Sequence, residues 1–106
     1  MSVAPETETF AVVDGTWLCR RALTLATSDE ALKQSARLPL PPSGIIRFSD
    51  DAEADSAALA VMLALFRRAE KESRALTFRN VPQTLKTLAR VYGVDTLLLT
   101  EESGDH

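Results

Sequence analysis

The sequence predicts an α/β domain built on a mixed sheet, and three observations carry that expectation. An Asp14-Gly15 pair lies between two apolar runs, a strong short-range signal for a β-hairpin. From Thr27 onward, segments of helical spacing alternate with short apolar strands, which calls for crossover connections and parallel pairing. One helical segment, Ala57 to Phe66, contains ten consecutive residues without a polar side chain. The element order is β-β-α-β-α-β-α, followed by a last apolar segment that reads as a strand or a short helix.

Each element has its own signals. Phe10-Ala11-Val12-Val13 reads as a strand, and Thr16 to about Leu25 as its return, with Trp17 and Cys19 on one face and Leu18 on the other. Thr27 and Glu30 stand at capping-box spacing, so a helix is expected from there, carrying Ala31, Leu32 and Ala36 and stopping before Pro39. The breaker-rich stretch from Pro39 to Gly44 is a loop. Ile45 to Phe48 is a strand, and an acidic loop leads to Ser56 and a long helix reaching about Ser73. In that helix Leu59, Met62, Leu63 and Phe66 form the expected inward stripe. Leu76-Thr77-Phe78 is the next strand. Pro82 fits the first position of a helix with Leu85, Leu88, Ala89 and Tyr92 on one face. Gly93 suits the left-handed residue just past its end.

Composition narrows the function. The chain has 106 residues, a formal net charge of -3, 45% apolar and 25% charged residues, the profile of one globular domain. A single Cys excludes an intramolecular disulfide and a four-cysteine zinc site. The single His is the last residue, a poor base for a catalytic triad. No segment approaches the roughly 20 apolar residues of a bilayer-spanning helix, and the N-terminus lacks a signal core, so a cytoplasmic protein is expected. The five acids of residues 1–8 and 101–106 set the acidic balance; the rest holds ten acids against twelve bases. Arg67, Arg68, Lys71, Arg74 and Arg79 are interleaved with Glu70 and Glu72, too dilute for a nucleic-acid footprint. The acids from Asp50 to Asp55 lack calcium-loop spacing and its glycine, and no glycine-rich phosphate loop exists. Neither metal, cofactor nor catalytic constellation is expected.

The long helix is the informative stretch. Opposite its inward stripe run Ala57, Ala60 and Ala64, then Arg67, Arg68 and Lys71. Alanine is the best helix former and can sit harmlessly on a surface. A flat small-residue face also lets a partner come close, and exposed apolar patches mark interaction sites. Ser56, after Asp55, reads as the N-cap of this helix. A phosphate there would add about -1.5 to -2 charges beside Asp55 and Glu53.

At Ile45-Ile46-Arg47-Phe48-Ser49 and at Asp55-Ser56-Ala57-Ala58-Leu59 the chain resembles the STAS family, the sulfate transporter and anti-sigma factor antagonist domains. That family opens an amphipathic helix with Asp-Ser/Thr-x-Gly-Leu after a short strand and a loop; Ala58 stands here at the Gly position. The stretches Leu76 to Val81 and Leu85 to Val94 are similar to the small, MlaB-like STAS subunit of the Mla phospholipid-transport ABC system. Two departures are Arg20-Arg21-Ala22 at the end of the second strand and the Pro-rich loop. The resemblance implies a STAS fold over residues 10–99, with a mixed four- to five-stranded sheet and helices mainly on one face. Residues 1–9 remain as a flexible tail and 100–106 as an acidic one. It further implies a non-enzymatic accessory subunit, without direct membrane insertion. Such a subunit docks on a cytoplasmic ABC-type ATPase, with its permease, at the inner face of the inner membrane. The docking surface would be the start of helix 57–72: Ser56 with Asp55, Ala57, Ala60, Ala64 and Arg67. The alternative is an anti-sigma factor antagonist that binds an anti-sigma kinase and is switched by phosphorylation of Ser56.

Overall fold

A computed structural model describes residues 9–99. The elements are β1 (Phe10–Val13), β2 (Thr16–Cys19), α1 (Ser28–Ala36), β3 (Ile45–Phe48), α2 (Ser56–Lys71), β4 (Thr77–Arg79), α3 (Gln83–Val91) and α4 (Asp95–Leu98). The strands form one mixed four-stranded sheet in the order β1-β2-β3-β4. β1 pairs antiparallel with β2; β2–β3 and β3–β4 are parallel. The last apolar segment is the short helix α4.

The hairpin forms as its Asp-Gly pair dictates. Asp14 and Gly15 both have positive φ, 53° and 77°, the backbone of a tight two-residue hairpin turn. Strand alternation then sorts the side chains. Phe10, Trp17, Cys19, Ile46, Phe48 and Phe78 are buried on one face, and the helices cover it. The rings of Phe10 and Trp17 lie 5.1 Å apart at 41°. The Cys19 thiol sits in this core, where burial pushes its pKa up to about 12, so it is an inert packing group. The free edge of β1 is partly closed by α1. The Gln34 side-chain oxygen accepts from the Phe10 N–H at 2.9 Å, and its amide donates to the Phe10 carbonyl at 2.8 Å.

Several local expectations are corrected. β2 stops at Cys19 instead of running to Leu25, because its partner β3 ends at Phe48. Beyond it the chain turns and meets the loop before α2 through an isolated Leu23–Ala54 bridge. Thr27 precedes α1 but does not cap it. Its hydroxyl accepts from the Thr24 N–H at 2.9 Å and donates to the Ala22 carbonyl at 2.7 Å, so it is spent on the turn. α1 buries Ala31 and Ser35, while Leu32 and Ala36 are exposed; small residues at i, i+4 form its packing face. Pro82 stands at the N-cap position of α3, one residue before the expected place. Of the expected tail 1–9, only Thr9 is described. It is buried, and its carbonyl accepts from the Arg20 N–H.

α2 and α3 end in the same way. After α3, Gly93 is left-handed, and the N–H groups of Gly93 and Val94 return to Arg90 and Ala89. After α2 the equivalent left-handed residue is Ser73, at φ 56°, with Ser73 and Arg74 bonded back to Glu70 and Ala69. A Cβ at such a position is strained. Ser73→Gly is therefore expected to stabilise the domain by about 1 kcal/mol, read as a higher midpoint in urea unfolding.

Candidate functional site

The start of α2 is built by Asp55. Its backbone is extended, and its carboxylate takes two N–H groups: Ala57 at 2.9 Å on one oxygen, Leu25 at 3.1 Å on the other. The first bond satisfies a free donor at the helix start. The second ties the 20–27 loop to it, together with the Leu23 N–H donated to the Glu53 carbonyl at 2.8 Å. Asp55 is thus the cap and the anchor, which corrects the assignment of that role to Ser56.

Ser56 is instead the first residue of α2, exposed, and its hydroxyl makes no hydrogen bond among the described residues. It is held in place by its neighbour and left chemically free. Ala57 is half-buried and spends its N–H on Asp55. Ala60, Ala64 and Arg67 are exposed, with Lys71 one turn further, so the expected outer stripe exists at i, i+4, i+7, i+11 spacing. The inward face is rotated from the expected one. Ala58, Leu59, Val61, Met62, Leu65 and Ala69 are buried, and Leu63 and Phe66 lie half-buried at its margin.

That rotation makes a groove. Ser56, Leu59, Ala60 and Leu63 form one wall, and Tyr92 and Val94 form the other, enclosing about 400 Å³ of mostly apolar space. Tyr92 was expected on the core face of α3 but is 60% exposed. Tyr92 is the C-cap of α3, and past the left-handed Gly93 the half-buried Val94 lines the groove beside it. Val91 and Leu97 are also exposed on the α3–α4 side, and Leu25 is 79% exposed on the loop that Asp55 anchors. The exposure of these apolar residues was not read from the sequence. An aromatic residue just before a helix-ending glycine was the available signal for Tyr92.

Other candidate residues have structural work. Arg68 was placed on the outer face but reaches back to α1, donating to the carbonyls of Ser35 at 2.9 Å and Leu38 at 2.7 Å. Arg74 donates to the Pro41 carbonyl at 2.8 Å. Of the acids, Asp50 accepts from the Asn80 side chain and Asp51 from the Ser49 hydroxyl. Among the described residues no group of His, Cys, Asp and Glu side chains is arranged to hold a metal ion, and no helix is long and apolar enough to cross a membrane. His106 lies outside the described residues.

The site is therefore a preformed apolar groove at a helix start, with a free hydroxyl on its rim and two cations further along the same helix face. An exposed apolar groove of this kind has the shape and chemistry of a surface that takes a partner. Comparison with known families matches the chain to the family described as Mlab, STAS domain, over residues 22–100. The match takes in α1 through α4 and leaves the β1–β2 hairpin outside. No curated protein and no solved structure matches the chain.

Proposed function

Since the chain belongs to the MlaB-like STAS domain family, we propose that it is a non-enzymatic accessory subunit of an Mla-like phospholipid ABC transporter. It docks on the cytoplasmic ATPase through the start of α2 and so sits at the inner face of the inner membrane. The observation that carries this reading is the groove beside Ser56, with its exposed alanine rim and its outward-facing Tyr92. Small residues allow close approach, and an aromatic rim supplies area at low entropic cost. Arg67 and Lys71 extend the same face with positive charge, which sets the orientation of a partner bearing acids at that end. Binding that favours the assembled ATPase over its free subunits shifts the population toward the assembled state.

A second reading is favoured by the free Ser56 hydroxyl. In an anti-sigma factor antagonist, a partner kinase would transfer the terminal phosphoryl group of ATP to Ser56 Oγ, releasing ADP and the hydroxyl proton. The new charge beside the groove would expel the partner.

One experiment separates the two. The full chain is affinity-purified from its native host, and the recovered proteins are identified and assayed. The transporter reading expects an ABC ATPase and permease in fixed ratio, an ATP hydrolysis rate that depends on the chain, and no phosphate on Ser56. Recovery of an anti-sigma kinase that phosphorylates Ser56 overturns it in favour of the second.

A further inference from the structure

The helices cover one face of the sheet, and the other face carries arginines. Alternation along the strands places Ala11, Leu18, Ile45, Arg47, Thr77 and Arg79 outward, opposite the buried core residues. Arg47 and Arg79 are direct cross-strand partners in the β3–β4 register. They put two positive charges side by side on this face. Arg20 continues the β2 alternation beyond Cys19, still in the ladder through its N–H bond to Thr9. The guanidinium groups of Arg20 and Arg47 make no ion pair among the described residues. The Arg20 Nε is buried without a hydrogen-bond acceptor. The outward strand positions include no acid. The acids just past β3 are held by neutral groups: Asp50 by Asn80, Asp51 by Ser49.

We infer that this open face is a second docking surface, which takes an acidic segment of a protein partner across the strands. Neighbouring strands are about 4.8 Å apart, so the three guanidinium groups spread over a row rather than converging on one point. Carboxylates strung along a chain match that layout, and the guanidinium groups of Arg20 and Arg47 can each take one. A flat anionic bilayer fits less well, because it would also cover Asp50 and Asp51 at the same end of the sheet. The surface lies on the opposite side of the sheet from α2, so both partners can be bound together.

The test is an amide NMR titration of the full chain with poly-glutamate. The expected result is a set of shifts centred on Leu18, Arg47 and Thr77, fading as salt rises. Arg47 is exposed, so Arg47→Glu keeps the folded spectrum and should bind at least about tenfold more weakly. Shifts located elsewhere, or undiminished binding by Arg47→Glu, overturn the proposal. So does engagement of this face by phosphatidylglycerol vesicles where poly-glutamate leaves it unmoved, which assigns the surface to a membrane instead.

Discussion

Arg68→Ala is expected to cost about 3 kcal/mol of stability, a large share of the margin of a domain this size. The side chain leaves α2 and donates to the Ser35 carbonyl in the last turn of α1 and to the Leu38 carbonyl just past it, at 2.9 and 2.7 Å. The Ser35 carbonyl otherwise holds only a turn-closing N–H, that of Leu38 at 3.1 Å, and the Leu38 carbonyl lies beyond the helix, which stops at Ala36. Each bond carries a full positive charge on the donor, which makes it worth roughly 1.5–3 kcal/mol before water replaces part of it. The third contact, Arg68 Nε to Glu72 at 3.0 Å, is half-exposed and adds only a few tenths. Removing the guanidinium therefore unties α1 from α2 at the point where the chain turns into the Pro-rich loop. The melting temperature should fall by roughly 10–20 °C. Arg68→Lys should recover little, since one ammonium cannot address two separate carbonyls and Glu72 together. Arg68 stands apart from the groove, so ATPase docking measured well below the melting point should be unchanged. A melting temperature within a degree or two of the native one would mean that solvent satisfies both carbonyls.

Arg68 also illustrates what a sequence conceals. Its position beside Arg67 made both read as outer-face cations, and only the position of α1 tells them apart. The elements themselves were legible, because their signals are local: Asp14-Gly15 at the turn, Pro39 after α1, Gly93 after α3. Where the signal depended on a partner it misled. β2 carries strand-like residues to Leu25, yet it ends where β3 ends, because a strand without a neighbour has nothing to bond. Thr27 and Glu30 have capping-box spacing, but the Thr27 hydroxyl finds nearer partners in its own turn. In α2 the inward stripe was drawn through the largest side chains, Leu63 and Phe66 among them. The true face is centred on Ala58, Val61 and Leu65 and includes small residues that a stripe drawn by size passes over. That rotation is why Leu63 borders a groove. The groove needs a second wall from α3, thirty residues away, and no window along the chain contains both. Tyr92 was lost as well: its spacing fits the core face, yet it stands at the C-cap of α3 and is exposed.

If the groove is the proposed docking surface, Ala60→Glu should weaken binding to the ATPase by about 100-fold or more, while leaving the domain folded. Both halves follow from where Ala60 sits. It is exposed and in mid-helix, and glutamate is a good helix residue, so the change in stability should stay within about 0.5 kcal/mol. It also forms part of the groove wall, between Ser56 and Leu63 and facing Tyr92. A partner side chain filling that space would drive water off the new carboxylate, and nothing in the wall can pair with it. Arg67, two turns further on, is the nearest cation on that stripe. Ala60→Ser adds one oxygen and no charge, so it should weaken docking only slightly. Ala36→Glu places the same charge on an exposed alanine of α1, away from the groove, and should dock normally. This pairing separates the local groove from the overall charge of the protein. If Ala60→Glu and Ala36→Glu bind the ATPase equally well, the start of α2 is not the docking surface. The alanine stripe would then be no more than good helix chemistry.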